Sequence, residues 1–241
     1  MNRSYNNFCL NDKTQQVIEF VPENTIKEAN VTKEIYLKLF PKVDFFVQYQ
    51  ELKISNIGLY SMTRPFIAEK ICRIIKKLVN NNDVTITDAM GNMGGMTITL
   101  CKYFNKINTC EIVPEHCAIL KNNIQVYGFT NKVNLVCGDY MDNMFNFKQD
   151  IIFFDPPWGG LDFDKTSSLS LYINNINIIC IIKQLISYAK YILLLVPFNY
   201  NYNDLRKIDT CMRIINLGGK KRKILVVISG KIFVDNKKLN I

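Results

Sequence analysis

Hydrophobic and polar positions follow different patterns before and after residue 84. Residues 1–30 are polar and rich in Asn, which predicts a poorly ordered arm. Residues 31–80 carry apolar side chains at helical spacing and predict a small N-terminal helical extension. In residues 81–241, short apolar runs alternate with amphipathic stretches, so the main domain is expected there.

The extension contains two local signals. Pro65 is typical of the first turn of a helix, and Thr63 just before it is expected to cap that helix. The segment 45–54 alternates loosely between apolar and polar residues, which predicts extended chain.

The main domain has the pattern of a layered α/β fold. Strands separated by helices favour a mostly parallel sheet covered on both faces, and the last two apolar runs predict antiparallel C-terminal strands. The runs that predict strands are 84–89, 108–112, 133–137, 150–154, 192–197, 213–217 and 224–232.

Composition and charge narrow the function classes. With 48% hydrophobic and 21% charged residues, wholesale disorder and fibrous repeats are excluded. The formal charge of +9 favours a polyanionic partner, such as nucleic acid, a nucleotide phosphate chain or an anionic membrane surface. The same excess also arises where Lys is simply abundant beside Asn and Ile.

We expect an intracellular protein of the nucleus or cytoplasm that is not attached to a membrane. The most apolar stretch, 173–198, is interrupted by Lys183 and Lys190, and no apolar region follows the first residues as in a signal peptide. The sequence leaves the oligomeric state open, with a monomer favoured.

Cysteine and histidine give little material for metal or disulfide chemistry. The eight Cys are scattered without a CxxC pair, so we expect reduced, buried thiols and no metal site. His116 is the single His and is expected on the surface of a helix.

Acidic residues close four of the predicted strands, namely Asp88, Glu111, Asp139 and Asp155. Ligands bind at the carboxyl ends of parallel strands. Glu111 follows Asp88 by 23 residues (111 − 88), the spacing of a carboxylate that binds ribose hydroxyls.

The turn after the first strand contains Gly91, Gly94 and Gly95. Glycines there let the backbone approach a ligand closely. By itself, this turn also fits a nicotinamide or flavin site, or plain packing of a helix on a sheet.

The run Asp155-Pro156-Pro157-Trp158 is more specific. Two prolines cannot continue a strand, so they hold the Asp155 carboxylate and the Pro156 carbonyl as rigid acceptors beside an aromatic face. Such a set can orient a flat exocyclic amine and stack its ring, which methylation of an amine requires. A turn with a buried structural Trp is the alternative.

The chain resembles S-adenosylmethionine-dependent amino-methyltransferases, and most closely the trimethylguanosine synthases, over about residues 36–230. Pro-Pro-Trp-Gly-Gly together with the upstream Tyr-Ser-Met-Thr run carries the likeness. It rests on residues 58–63, 88–98, 122–123, 126–128, 137–140 and 155–160.

The resemblance implies a Rossmann-like class I methyltransferase domain that adds methyl groups to N2 of a 7-methylguanosine RNA cap without a metal. It assigns Asp155, Pro156 and Trp158 to catalysis, with Trp158 also stacking on the base. The implied cofactor-binding residues, including two from an N-terminal lid, are Ser61, Thr63, Asp88, Gly94, Gly95, Thr97, Glu111, Asp139 and Tyr140. Those implied for the cap phosphates are Asn199, Lys221 and Arg222.

Two alternatives stay open at this point. The first is another base-amine methyltransferase, acting on DNA, rRNA or tRNA. The second is a cap- or RNA-binding module without turnover. The number of methyl groups added is also open.

Overall fold

The computed structural model describes residues 26–79, 83–160, 162–219 and 223–230. Of the predicted polar arm, only residues 26–30 fall within these ranges. Glu28 there forms an antiparallel bridge with Ser55, so the start of the described chain lies against the segment that precedes the second helix.

A seven-stranded mixed sheet organises the described chain. Its order is β3-β2-β1-β4-β7-β9-β8, and only β9 runs against the other strands. The bounds are β1 Thr85–Asp88, β2 Lys106–Glu111, β3 Val133–Cys137, β4 Ile151–Phe154, β7 Tyr191–Val196, β8 Met212–Gly218 and β9 Lys223–Ser229, and a separate two-stranded hairpin comprises β5 Tyr172–Ile173 and β6 Ile176–Asn177.

Helices cover the sheet and form the N-terminal extension. Their bounds are α1 Lys33–Leu39, α2 Gly58–Ser61, α3 Pro65–Leu78, α4 Gly95–Tyr103, α5 Pro114–Val126, α6 Tyr140–Asn143 and α7 Ile178–Leu185. Pro65 begins α3 as expected, but Arg64 occupies the cap position. The Thr63 hydroxyl instead donates a hydrogen bond to a distant carboxylate, which takes it away from the helix end.

The two faces of the sheet each have their own hydrophobic cluster. One joins Ile86 and Phe153 of the sheet to α3, α4 and α5, and the N-terminal extension contributes Leu39 and Ile54 to it. The other packs α7 against the opposite face of β4, β7 and β9. The extension therefore shares the core of the main domain.

Three further local predictions are wrong. Segment 45–54 is not extended throughout, because Tyr49–Glu51 forms a 3₁₀ turn. His116 is buried, and its Nε2 lies 3.1 Å from the hydroxyl oxygen of Ser55, which supplies the polar partner that burial of an imidazole requires.

The third correction concerns the thiols. Cys117 in α5 and Cys137 at the end of β3 form a disulfide, with their Cα atoms 5.7 Å apart. Packing of α5 on β3 brings the start of the helix to the end of the strand, although the two positions lie 20 residues apart. Among the described free cysteines, Cys211 is exposed and the other four are buried.

No helix within the described ranges is long and apolar enough to cross a membrane.

Candidate active site

The order of the sheet reverses between β1 and β4, which are neighbours although β2 and β3 lie between them in the chain. Ligands of open parallel sheets bind at such a reversal, beyond the carboxyl ends of the strands. Asp88 ends β1, and Asp155 directly follows β4. These two acids therefore stand side by side where the fold favours a ligand.

Asp88 is fully buried at the end of β1. Its Oδ2 accepts a hydrogen bond from the hydroxyl of Thr97, 2.7 Å away, and its Oδ1 accepts from the backbone of Met90 at 3.4 Å. Burial, together with the carboxylates of Asp155 and Glu111, raises the pKa of Asp88 to about 7. The Asp88 carboxylate thus connects the two ends of the glycine turn, Met90 before it and Thr97 after it.

The glycines of this turn make room for neighbouring protein. Gly94 has φ +101°, a left-handed conformation that side chains rarely adopt, and it precedes the first residue of α4. A Cβ at Gly95 would lie 2.6 Å from the backbone oxygen of Thr63. The turn lets the N-terminal extension cross close over the start of α4.

Glu111 is buried at the end of β2 and fixed by its surroundings. Its two carboxyl oxygens accept backbone hydrogen bonds from Asn92, at 2.7 Å, and Val113, at 2.9 Å. Burial raises its pKa, and these bonds oppose that change. The exposed side chain of Ile112, which sequence reasoning did not single out, places an apolar surface beside this carboxylate.

Asn92 links this acid to the extension. It has φ 48°, its side-chain amide donates to the hydroxyl oxygen of Ser61 at 3.1 Å, and its own Oδ1 is buried without a partner. Sequence reasoning gave Asn92 no role in the site. An Asn inside a glycine turn is the signal that could have found it.

The predicted pair Asp139 and Tyr140 divides between surface and core. Asp139 caps α6 by accepting from the backbone of Met141 at 2.8 Å, and it also accepts from Asn174. Tyr140 is buried, and its hydroxyl donates to Gln149 at 3.2 Å. Its ring lies inside the core, where it meets Phe154 of β4 edge-on with ring centroids 5.5 Å apart.

Asp155 receives the hydroxyl of Thr63, which donates to its Oδ2 across 2.6 Å. The hydrogen bond spans 92 residues and joins the extension to the end of β4. Burial raises the pKa of Asp155, whereas the ammonium of Lys223 and the Thr63 hydroxyl lower it. Pro156 beside it is buried.

Trp158 is half-buried and packs against both hydrophobic clusters. Phe163 meets it edge-on with ring centroids 5.1 Å apart, and the Lys223 ammonium lies 4.9 Å from its ring centroid. The indole Nε1 is buried without a hydrogen-bond partner. The ring is thus held in place while its N–H group stays available to a further acceptor.

Asn199 has a different position from the one predicted for a phosphate ligand. It is buried, and its side-chain amide donates to the backbone oxygens of Phe163 and Thr166, at 2.9 and 2.6 Å. These bonds use both amide hydrogens, so Asn199 fixes the turn that packs on Trp158 and offers a phosphate no donor. Lys221 and Arg222 lie outside the described residues.

The family model for RNA cap guanine-N2 methyltransferases matches residues 83–231, more than half of the chain. The chain belongs to this family. One relative is the trimethylguanosine synthase of Schizosaccharomyces pombe. It is 32% identical to this chain over 124 residues, which are 49% of this chain and 50% of the relative.

Two further proteins are similar to this chain. The trimethylguanosine synthase of Saccharomyces cerevisiae is 23% identical over 177 residues, 70% of this chain and 55% of that protein. An uncharacterized protein of Acanthamoeba polyphaga mimivirus is 31% identical over 138 residues, 54% of this chain and 50% of its own. The chain spans about half the length of the curated relatives it matches.

Solved structures confirm the predicted fold. A protein of Listeria monocytogenes, described as a class I S-adenosylmethionine-dependent methyltransferase, has a TM-score of 0.53 at 18% identity and covers 71% of this chain and 61% of its own. A methyltransferase-like protein of Porphyromonas gingivalis has a TM-score of 0.57 at 17% identity, covering 74% and 43%. This chain therefore has the Rossmann-like class I fold.

S-adenosylmethionine is the cofactor of this family and fold, as the sequence predicted. The residues present fit it, because carboxylates stand at or just after the ends of three neighbouring strands and Oδ1 of Asn92, in the turn after β1, has no partner. A Cβ at Gly138 would meet nothing within 4 Å, so the chain beside Asp139 leaves space. The described residues contain no cluster of His, Cys, Asp and Glu suited to a metal ion.

Lys223 has a place in the site that the sequence analysis did not single out. The resemblance assigned Lys221 and Arg222 to the cap phosphates, whereas the fold brings the ammonium of Lys223 to Trp158 and Asp155. A lysine at the first position of an antiparallel last strand is the signal that places it at the ligand edge.

Proposed function

We propose that this chain methylates the exocyclic N2 of the 7-methylguanosine cap of RNA, using S-adenosylmethionine. The observation that carries the proposal is the arrangement after β4, where the Asp155 carboxylate stands in line with a buried Pro156 and a fixed indole face. One transfer gives a dimethylguanosine cap and a second gives a trimethylguanosine cap. The excess of positive charge suits capped RNA as the partner, in the nucleus or cytoplasm.

The cofactor side uses the acids of the first three strands. S-adenosylmethionine supplies a methyl group on a positively charged sulfur. Glu111 accepts from ribose hydroxyls, while Ile112 gives the adenine an apolar surface. The glycine turn and the extension bind the methionine end, through Ser61, Thr63, Asp88, Gly94, Gly95 and Thr97. The start of α6 binds the adenine end, through Asp139 and Tyr140.

The amine side depends on Asp155 and Pro156. Because Thr63 holds one carboxyl oxygen, the other oxygen and the Pro156 carbonyl are available to the two hydrogens of N2. Accepting these hydrogens orients the amine lone pair toward the methyl group. The released proton passes to Asp155 or to water, and burial, which raises the pKa of Asp155, makes it a better acceptor.

Trp158 supplies the preference for a 7-methylated base. Methylation at N7 leaves guanine with a positive charge, and a cation is attracted to the face of an indole. This attraction contributes about 0.5–2 kcal/mol, or a few-fold to roughly thirtyfold in affinity. The neutral guanine of an uncapped RNA does not have it.

Product analysis tests the reaction. GTP, 7-methyl-GTP and an uncapped RNA are each incubated with S-adenosylmethionine, and the products are analysed by mass spectrometry. We expect one or two methyl groups on 7-methyl-GTP and almost none on the other two. Equal methylation of GTP and 7-methyl-GTP would contradict the cap-specific proposal, and methylation of the uncapped RNA alone would favour the rRNA or tRNA alternative. Binding of both ligands without turnover would favour a binding module.

Variants of Trp158 test the base site. Trp158→Ala should lose cap affinity and nearly all turnover but still bind S-adenosylmethionine, whereas Trp158→Phe should keep part of both activity and selectivity. Calorimetry measures both affinities, and Phe46→Ala, which removes an aromatic ring that is 84% exposed, is the control. Normal cap affinity in Trp158→Ala would assign the indole a structural role only.

A further inference from the structure

Lys223 lies at the ligand edge because of strand direction. β9 runs antiparallel to β7, so its first residues are next to the last residues of β7, with Val196 paired to Ile224. Lys223 begins β9 and is therefore at the edge where the parallel strands end. This position explains how a residue 65 positions after Trp158 (223 − 158) reaches the indole.

The Lys223 ammonium interacts with two groups in the described part of the chain, the Trp158 ring and the Asp155 carboxylate. It lies 4.9 Å from the centroid of the Trp158 ring and lowers the pKa of Asp155 by its charge. Lys132, which also lies over an aromatic ring, has in addition a hydrogen bond from its ammonium to the backbone oxygen of Cys101. Lys223 has no such hydrogen bond to a described residue, so its ammonium is held by the ring and by the charge of Asp155 alone.

We propose that Lys223 is a specificity-determining residue of the base site, because its ammonium takes the cation position over Trp158 that a positively charged base has to occupy. This inference rests on the proposed function. An incoming 7-methylguanine displaces the ammonium and, once bound, is repelled by it. A neutral guanine meets only the first of these costs.

The consequence is that Lys223 lowers the selectivity that Trp158 alone provides. Replacing the ammonium with a neutral side chain of similar length removes the competing cation and leaves the indole. Lys223→Met should therefore bind the nucleoside 7-methylguanosine about three- to tenfold more tightly than wild type, with a smaller gain for guanosine. Lys223→Arg keeps the charge and should stay close to wild type.

Trp158 is the single Trp of the chain, so intrinsic fluorescence reports on this site alone. In the absence of ligand, iodide is attracted to an ammonium beside the indole, whereas acrylamide is not. Lys223→Met and Lys223→Gln should reduce iodide quenching relative to acrylamide quenching. The control is Lys106→Met, which removes the same charge at the first residue of β2, at the opposite end of the parallel strands. Unchanged iodide quenching in both Lys223 variants would overturn the proposal.

Titrations with nucleosides then separate this inference from the proposed function. They are made in buffer acidic enough to keep 7-methylguanosine cationic, and they use nucleosides so that phosphate contacts do not contribute. A wild type that prefers 7-methylguanosine, with Lys223→Met no tighter, rejects only the role of Lys223. Weaker binding of 7-methyl-GTP by Lys223→Met with unchanged nucleoside binding also rejects it, in favour of a phosphate contact. Failure of the wild type to bind either nucleoside rejects the proposed function, and this inference with it.

Discussion

The ligand edge of the sheet has two halves that differ in how their polar groups are satisfied. In the half formed by β1, β2 and β3, the carboxylates of Asp88, Glu111 and Asp139 accept hydrogen bonds from nearby protein groups, donated by Thr97, Asn92 and Met141 respectively. In the half after β4 and β7, three polar atoms of described residues are buried without a partner, namely Trp158 Nε1, Asn199 Oδ1 and Tyr200 Oη, against one in the first half, Asn92 Oδ1.

The first half is therefore largely preformed, whereas the second half has several polar groups whose hydrogen bonds a ligand can complete. An unsatisfied buried polar group costs about 1–3 kcal/mol, so the half around Trp158 is kept at the expense of stability. Such groups are retained where a ligand completes them. We therefore expect changes in the first half to act on cofactor affinity and stability, and changes in the second to act on turnover and choice of base.

The largest effect is expected at Asp155, where the two halves meet. Asp155→Ala removes the acceptor of the reacting amine and should lower kcat by about 100- to 10,000-fold, the range of a general base. Affinities for 7-methyl-GTP and S-adenosylmethionine should change little, because other groups bind both ligands. Single-turnover methylation and calorimetry measure the two quantities. A loss of cap affinity as large as the loss of kcat would show that Asp155 is a binding residue.

The disulfide tests the stability of the preformed half. The disulfide joins Cys117 in α5 to Cys137 in β3 and so closes the loop between them, and the two cysteines are 20 residues apart in the sequence. A loop of this size stabilises a protein by about 3 kcal/mol, so the Cys117→Ser/Cys137→Ser variant should lose about that free energy of unfolding in urea. Dithiothreitol should destabilise the wild type and Cys211→Ser but not the double variant. Insensitivity of the wild type to dithiothreitol would contradict this expectation.

Glu111 tests the cofactor affinity of the same half. Glu111→Gln keeps the shape of the side chain but removes a charged acceptor, and should weaken S-adenosylmethionine binding by about tenfold or more, equal to 1.5–3 kcal/mol. Glu115→Gln, at an exposed position in the first turn of α5, is the control. Calorimetry that gives Glu111→Gln the affinity of wild type would remove Glu111 from the cofactor site.

The smallest effect is expected at Thr63, which bridges the extension and Asp155. Its hydrogen bond lowers the pKa of Asp155, so Thr63→Val should raise that pKa further. Below its pKa the carboxyl is protonated and accepts less well, so the acidic limb of the kcat profile should move to higher pH. On this acidic limb, kcat should fall by roughly two- to tenfold relative to wild type. Thr63→Ser keeps the hydroxyl and should match the wild-type pH profile; if the Val variant does too, the hydrogen bond is irrelevant to turnover.

The strand pattern was predictable because it depends on short-range signals. Apolar runs bounded by acids and glycines mark β1 to β4, and each acid of those ends lies where the pattern put it. The run Asp155 to Trp158 was informative for the same reason, since prolines fix local backbone whatever surrounds them.

Contacts between distant residues were not predictable. Thr63 has the sequence features of a helix cap, and only the packing of the extension over Gly95 turns its hydroxyl toward Asp155. His116 and Cys117 follow each other in α5, yet one contacts the extension and the other β3. Asn199 was assigned to phosphates by the family resemblance, whereas its amide hydrogens are used by a turn 33 and 36 residues away.

The place of β9 in the sheet has a consequence for synthesis on the ribosome. β8 precedes β9 in the chain, but it joins the sheet only through β9, which separates it from β7. As the chain emerges from the ribosome, β1 to β4 can pair with one another and bring the carboxylates of the first half into position. At that stage β8 still has no partner strand. Residues 223–229 then close the sheet and deliver Lys223 to Trp158 in the same event. A nascent chain that stops before them has the acids for the cofactor but not the finished base site.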